Sequence, residues 1–197
     1  MKSVLISINP KWCELITSGK KTVEVRKTKP KLDVPFKCYI YETKGKLRWC
    51  NKCQDPDCER PYPNCACHEG WGKVIGEFVC DDIDTVHIFN ELLYCVKNSQ
   101  ANKLGQMCLT LEEVKAYLGD KNGYNWHITD LVIYDKPREL SEFYNPEKVL
   151  KSQCMTCVFN DGHGRFNGCK GDNCWENTRL KRPPQSWCYV EEDYGNK

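Results

Sequence analysis

One stretch of the chain decides the fold: Gly19-Lys20-Lys21-Thr22-Val23-Glu24-Val25-Arg26-Lys27. Its centre alternates, with two valines on one side and Glu24 and Arg26 on the other. This alternation predicts a half-buried β-strand whose valines face the core. Lys21 lies at the turn that leads into the strand, so the three charged side chains can together grip a polar, planar ligand. A solvated, salt-bridged strand face is the alternative that the charge pattern alone favours.

The segments around this strand predict an α+β domain. Residues 3–8 form a short apolar run that is typical of a strand. Asn9 and Pro10 are typical of a helix start, and Gly19 of its end, so a helix is expected over residues 11–18. Further strands are predicted at 36–41, 73–83, 126–134 and 186–190, a short helix at 89–96, and a helix with a capping box at Thr110 and apolar Val114, Tyr117 and Leu118. Mixed strands at this spacing predict a small, partly closed β-barrel with flanking helices.

The composition is that of an ordinary globular chain. Of 197 residues, 40% are hydrophobic and 28% are charged, and the net charge is only +2. That charge excludes a protein that coats nucleic acid through phosphates alone, so any such contact must be local. We find no signal-peptide pattern and no run approaching the roughly 18 apolar residues of a membrane span. A cytoplasmic protein without a membrane partner is therefore expected.

Fifteen cysteines are the unusual feature, and four of them form a late cluster. Cys154 and Cys157 form one close pair, and Cys169 and Cys174 form another after a short, turn-rich loop. Two close pairs joined in this way build a tetrahedral thiolate site, which predicts zinc in a reducing compartment. Free cysteines in a loop are the alternative, but four exposed thiols would oxidise readily.

An earlier cluster lies in a segment, residues 44–69, that is poor in aliphatic side chains. Its candidate zinc ligands are Cys50, Cys53, Cys58, Cys65, Cys67 and His68. Six candidates exceed the four ligands of one zinc ion, so which of them complete a site with Cys50 and Cys53 stays open. A loop whose cysteines pair only on oxidation is the alternative, and iron–sulfur ligation is a further possibility for either cluster.

The remaining cysteines offer no sign of catalysis. Five lie within or beside predicted strands and helices and are expected to be small buried hydrophobic residues: Cys13, Cys38, Cys80, Cys95 and Cys108. None of the four histidines stands in a recognisable nucleophile signature, which argues against a cysteine hydrolase.

Several separated motifs together resemble the ASCH domain of the PUA-like superfamily. A strand is followed by a short helix that ends in Gly19-x-Lys21, and then by a strand that carries Glu24-x-Arg26. Residues 76–79, Gly-Glu-Phe-Val, resemble the central strand of such domains. Residues 124–128 and 183–187 resemble a phage- and prophage-associated bacterial branch. The resemblance covers about residues 3–43, 72–135 and 183–191 and leaves out the cysteine-rich segments.

This resemblance implies a PUA-like pseudo-barrel with a cleft that binds RNA or a modified nucleoside. Lys21, Glu24 and Arg26 are then its polar site residues, and the candidate stacking platforms for a base are Trp12, Tyr124, Trp126 and Trp187. Core packing is the alternative for each aromatic side chain. One ASCH branch is an amidohydrolase that acts on acetylated cytidine. Lys21 matches its lysine, whereas Glu24 stands where that branch has threonine; if this chain is an enzyme, Glu24 is the candidate base and Lys21 polarises a carbonyl.

The domain organisation that follows has three parts. Residues 1–150 form the ASCH-like domain with its insertion at about 44–69, residues 151–182 a zinc module, and residues 183–197 a last strand that returns to the barrel. A module that binds RNA or a nucleotide-like ligand is favoured. A zinc-stabilised protein-interaction module and an amidohydrolase are the alternatives.

Overall fold

The structure is a computed structural model, and it describes residues 2–44, 71–89, 92–96, 103–146 and 179–192. The strands are β1 (Ser3–Ile8), β2 (Val23–Arg26), β3 (Phe36–Glu42), β4 (Val74–Cys80), β5 (Ile83–Phe89), β6 (Leu92–Cys95), β7 (Gly123–His127), β8 (Thr129–Arg138), β9 (Phe143–Tyr144) and β10 (Trp187–Glu192). The helices are α1 (Pro10–Thr17), α2 (Lys103–Met107) and α3 (Leu111–Leu118), with a 3-10 turn at Leu140–Glu142. The cysteine clusters, at 50–68 and 154–174, lie outside the described residues.

These strands form two sheets. The larger has the order β8-β4-β3-β1-β10-β9, and only its β1–β3 pair is parallel among the ladders described. The smaller is antiparallel, with the order β2-β7-β5-β6. Mixed sheets with a few short helices confirm the predicted α+β class. In the larger sheet, β10 pairs with β1, so the chain returns to the N-terminal strand after the second cysteine-rich segment.

Strand β1 is buried on both faces and organises the core. Val4, Ile6 and Ile8 pack in a cluster with residues of β3, β4, β7 and α1, whereas Leu5 packs with β9 and β10 on the other face. A third cluster lies under the smaller sheet, where Val23 packs against α2 and α3. A strand covered on both sides needs apolar residues at odd and even positions, which accounts for the continuous apolar run at 3–8.

The predicted helix ends are confirmed. The Asn9 side chain accepts a hydrogen bond of 3.1 Å from the Lys11 amide, and proline occupies the first turn of α1. Thr110 and Glu113 form the reciprocal capping box of α3. Gly19, at φ 71°, adopts the left-handed conformation that glycine favours after a helix.

Two predicted elements are wrong. The segment 89–96 is not a helix: β5 and β6 form an antiparallel hairpin in which Ile88 pairs with Leu93. The strand predicted at 126–134 is two strands, because the chain leaves the smaller sheet after His127 and enters the larger one at Thr129. Asp130, just past this crossing, has a φ of 46°. Short apolar runs fit either a strand or a buried helical turn, so pairing partners decide the outcome.

Candidate functional site

The three charged side chains of the opening motif form a buried ion-paired triad. Glu24 forms an ion pair with each of the two cations: its Oε2 atom lies 3.3 Å from Lys21 Nζ, and its Oε1 atom lies 3.0 Å from Arg26 Nη2. The exposed fractions of the three residues are only 2% for Lys21, 6% for Glu24 and 7% for Arg26. The solvated strand face that the charge pattern favours is therefore wrong, although the predicted alternation with the inward-facing valines is confirmed.

Backbone groups from distant segments hold the two cations. Lys21 Nζ donates to the carbonyl oxygen of Met107 at 2.6 Å. Arg26 Nη2 donates to the carbonyl oxygen of Ser7 at 2.6 Å, and Arg26 Nη1 lies 3.4 Å from Ser186 Oγ. A buried charge needs such partners, because burial removes the water that otherwise solvates it. With two cations and one carboxylate, the triad carries a formal charge of +1.

The triad forms part of the wall of a cleft of about 520 Å³. Its lining residues come from β1, from α1 and its N-cap, from β2 and the turn before it, and from α3 and the segment that leads into it: Ser7, Asn9, Trp12, Lys21, Glu24, Val25, Arg26, Leu109, Glu113, Ala116 and Tyr117. This volume is within the range of small-molecule sites. The structure thus brings four of the predicted site residues together, the triad and Trp12.

Trp12 places an aromatic face beside the triad. The Lys21 ammonium lies 5.3 Å from the centre of the Trp12 ring, and the Lys11 ammonium lies 4.3 Å from it. Both distances are within the range of cation–π attraction. Trp12 is only partly buried and packs against the main core cluster at its edge, so part of the indole is left to the cleft.

Tyr117 is a lining residue that sequence reasoning assigned to the apolar face of α3. Burial raises the pKa of its phenol, an effect that Arg26 opposes and Glu24 reinforces. The same helix supplies Glu113 and Ala116 to the cleft. Positions 113, 116 and 117 follow the i, i+3, i+4 spacing of one helix face. That spacing, beside the separate core stripe of α3, is the signal that could have identified this face.

The other three predicted stacking residues do not line the cleft. Trp126 is fully buried, with its ring centre 5.9 Å from that of Phe36, so core packing describes it. Trp187 packs against Trp126 and donates from Nε1 to Thr28 Oγ1 at 3.0 Å. Tyr124 packs at the margin of the same core cluster. All three belong to or pack against the main core cluster.

None of the cysteines that the structure describes forms a disulfide. Cys13, Cys38 and Cys80 are buried as predicted, whereas Cys95 and Cys108 are only half-buried, as is Cys188. Among residues within the described ranges, no three histidine, cysteine or carboxylate side chains come together as a metal site. Within those same ranges, no helix has the length and apolar content needed to cross a membrane.

The comparison with known families assigns the chain to one of them. The model of the ASCH domain matches residues 6–152, which is well over half of the chain, so the chain belongs to the ASCH domain family. The crystal structure of ASCH from Zymomonas mobilis is 19% identical, covers 70% of this chain and 73% of that chain, and gives a TM-score of 0.45. The crystal structure of a mutant of the same protein is 16% identical, covers 96% of this chain and 88% of that chain, and gives a TM-score of 0.47. The comparison with curated proteins gives no match.

Proposed function

We propose that the cleft binds a nucleobase-containing ligand, either an RNA nucleotide or a modified nucleoside. The observation that carries this proposal is the buried triad of Lys21, Glu24 and Arg26 in the wall of a cleft that also presents Trp12 and Tyr117. Membership of the ASCH family, which is associated with RNA binding, supports it.

The chemistry of the triad suits a polar, planar ligand. A lysine ammonium has three N–H donors, and Lys21 directs two of them to Met107 and Glu24. The third is left for an acceptor such as a base carbonyl. Trp12 and Tyr117 offer ring faces, and stacking on an aromatic side chain contributes about 1–3 kcal/mol per base. The formal charge of +1 also tolerates a phosphate beside the base.

The contacts of the Glu24 carboxylate favour a binding function over hydrolysis. Each of its two carboxylate oxygens contacts a cation of the triad, so the carboxylate orients Lys21 and Arg26. A general base must instead reach the proton that it removes. The amidohydrolase alternative predicts turnover of an acetylated nucleoside, whereas the binding module predicts none.

Two further proposals rest on the sequence alone. Zinc binding by the two cysteine-rich segments follows from ligand spacing and would frame the domain with small structural modules. An origin in the phage-associated branch follows from the resemblance at residues 124–128 and 183–187.

The direct test measures the affinity of wild type and variants for mononucleotides and short RNAs by calorimetry. Tyr117→Ala should weaken binding about 5- to 150-fold, which is the loss of one stacked base. Tyr94→Ala is the matched control, because Tyr94 stacks on His87 and is not among the residues that line the cleft. Wild type that binds neither probe, or a Tyr117→Ala variant that binds like wild type, would overturn the proposal in favour of the interaction module.

A further inference from the structure

The loop that follows β2 presents three exposed lysines at alternating positions: Lys27, Lys29 and Lys31. None of the three has a carboxylate partner among the described residues. Ion pairs with carboxylates are formed, in contrast, by Lys11, Lys21, Lys37 and Lys73. Three adjacent positive charges without counter-charges repel each other, which favours a polyanionic ligand at this loop.

This loop is fixed to the rigid elements beneath it. The Lys27 ammonium lies 5.1 Å from the centre of the Tyr117 ring, and the Lys29 ammonium lies 5.4 Å from that of Tyr124. The backbone amide of Lys31 donates to the Tyr189 hydroxyl at 2.7 Å. Strand β10 therefore holds the loop backbone at Lys31, and the ammonium groups of Lys27 and Lys29 lie over aromatic rings of α3 and β7.

The lysine loop is continuous with the cleft. Arg26 belongs to the triad, and Lys27 is the next residue along the chain. Tyr117 takes part in both places, since its ring lines the cleft and also lies beneath the Lys27 ammonium. A base held in the cleft would thus have its own phosphate close to Lys27, and the neighbouring phosphates of the same strand would follow Lys29 and Lys31.

We propose that the lysine loop, residues 27–31, is a phosphate track, and that the natural ligand of the cleft is one nucleotide within a single-stranded nucleic acid. This inference rests on the proposed function of the cleft. A single strand is required because a base in a duplex is stacked and paired, so it cannot enter a pocket unless it is first extruded. Basic side chains interleaved with aromatic rings are the usual construction of a single-strand groove.

Salt dependence gives the track a quantitative signature. Contact with three phosphates of a single strand predicts a slope of about −2 for the logarithm of the binding constant against the logarithm of salt concentration. A fourfold rise in salt should then weaken binding of an octanucleotide RNA about 16-fold. A free nucleoside makes no phosphate contact and should show almost no such dependence.

The test compares two doubly substituted proteins with equal changes in net charge. Lys29→Gln/Lys31→Gln should reduce the slope for the octanucleotide to about −0.7, because one phosphate contact is left. Its affinity for a mononucleotide should be unchanged, since neither lysine lines the cleft. Lys121→Gln/Lys136→Gln, at exposed positions outside the loop, is the control and should behave like wild type.

The possible outcomes distinguish failure of the phosphate-track proposal from failure of the proposed function of the cleft. If mononucleotides bind but the octanucleotide gains neither affinity nor salt dependence, the track is wrong and the cleft stands. If both variants lose affinity equally, net charge alone is responsible and the track is wrong. Competition by polyglutamate as strong as that by RNA would assign the loop to an acidic protein and overturn the proposal. If wild type binds no nucleotide and no RNA, both proposals fail.

Discussion

Lys21 Nζ donates a hydrogen bond of 2.6 Å to the carbonyl oxygen of Met107, which lies 86 residues further along the chain. Met107 is the last residue of α2 and is itself fully buried. The next residue, Cys108, has a left-handed φ of 52°, at which the chain turns towards α3. The position of the Lys21 ammonium therefore depends on the packing of α2 against β2, so the site and the fold share the same contacts.

Glu24→Gln should destabilise the protein by about 3 kcal/mol, because it leaves two buried cations without their shared counter-ion. The free energy of unfolding in urea measures this loss. Glu139→Gln removes the more exposed ion pair with Lys73 and should cost less than about 1 kcal/mol. If Glu24→Gln unfolds at the same urea concentration as wild type, the triad is solvated in solution, as the charge pattern alone suggests.

The shared face of Glu24 and Arg26 could be predicted from the sequence, whereas their burial could not. Alternation is a local property, and it correctly places the valines of β2 in the core. Burial depends on the carbonyl groups of Met107 and Ser7, which come from segments far away in the chain. A local charge pattern carries no information about such partners, so it favoured the solvated alternative.

The hairpin of β5 and β6 shows a second limit of local patterns. Its second strand, Leu92–Cys95, has only four residues, and its apolar positions fit a helical turn as well as a strand. The deciding interaction is the pairing of Val86 with Cys95 and of Phe89 with Leu92 across the hairpin. Helix ends were more predictable, because the Asn9 cap and the Thr110 capping box are complete within a few residues.

The insertion should be replaceable by a short turn. Strands β3 and β4 are antiparallel neighbours, and the Gly72 amide donates to the Glu42 carbonyl oxygen at 2.9 Å, so the two ends of the insertion meet. A short Gly/Ser linker in place of residues 44–69 should therefore close the hairpin and leave a single cooperative unfolding transition, measured by circular dichroism. A molten or insoluble product would show that the insertion contributes to the core.

Stability should fall at alkaline pH because of buried thiols. Burial raises the pKa of Cys13 and of Cys38, and burial together with Asp81 raises that of Cys80 to about 12. The folded state therefore keeps these thiols neutral, while an unfolded thiol ionises above about pH 8.5. The free energy of unfolding keeps its full value below that pH. Above it, each buried thiol lowers the free energy of unfolding by about 1.4 kcal/mol per pH unit, until the pH reaches the pKa of that thiol in the folded state.

Urea unfolding of Cys38→Ala at several pH values isolates one of these thiols. Above about pH 9, the decline in its free energy of unfolding should be less steep than in wild type by about 1.4 kcal/mol per pH unit. Val4 pairs with Cys38 in the β1–β3 ladder, so Val4→Ala is a core truncation at the same place without a thiol. It should lower stability at every pH and keep the wild-type slope. Equal slopes in all three proteins would contradict the assignment to Cys38.

Cys154, Cys157, Cys169 and Cys174 should bind one zinc ion, and elemental analysis of purified protein measures it. Replacing one thiolate in a four-cysteine site leaves three ligands and sharply lowers affinity, so Cys154→Ser should carry about one zinc ion less per chain. The segment between the two pairs has few apolar residues to fold on its own, and loss of the metal should make it sensitive to protease. Cys38→Ala is the control, since Cys38 is a buried core thiol, and its zinc content should match wild type. Unchanged zinc in Cys154→Ser would assign the metal to the earlier cluster or to none.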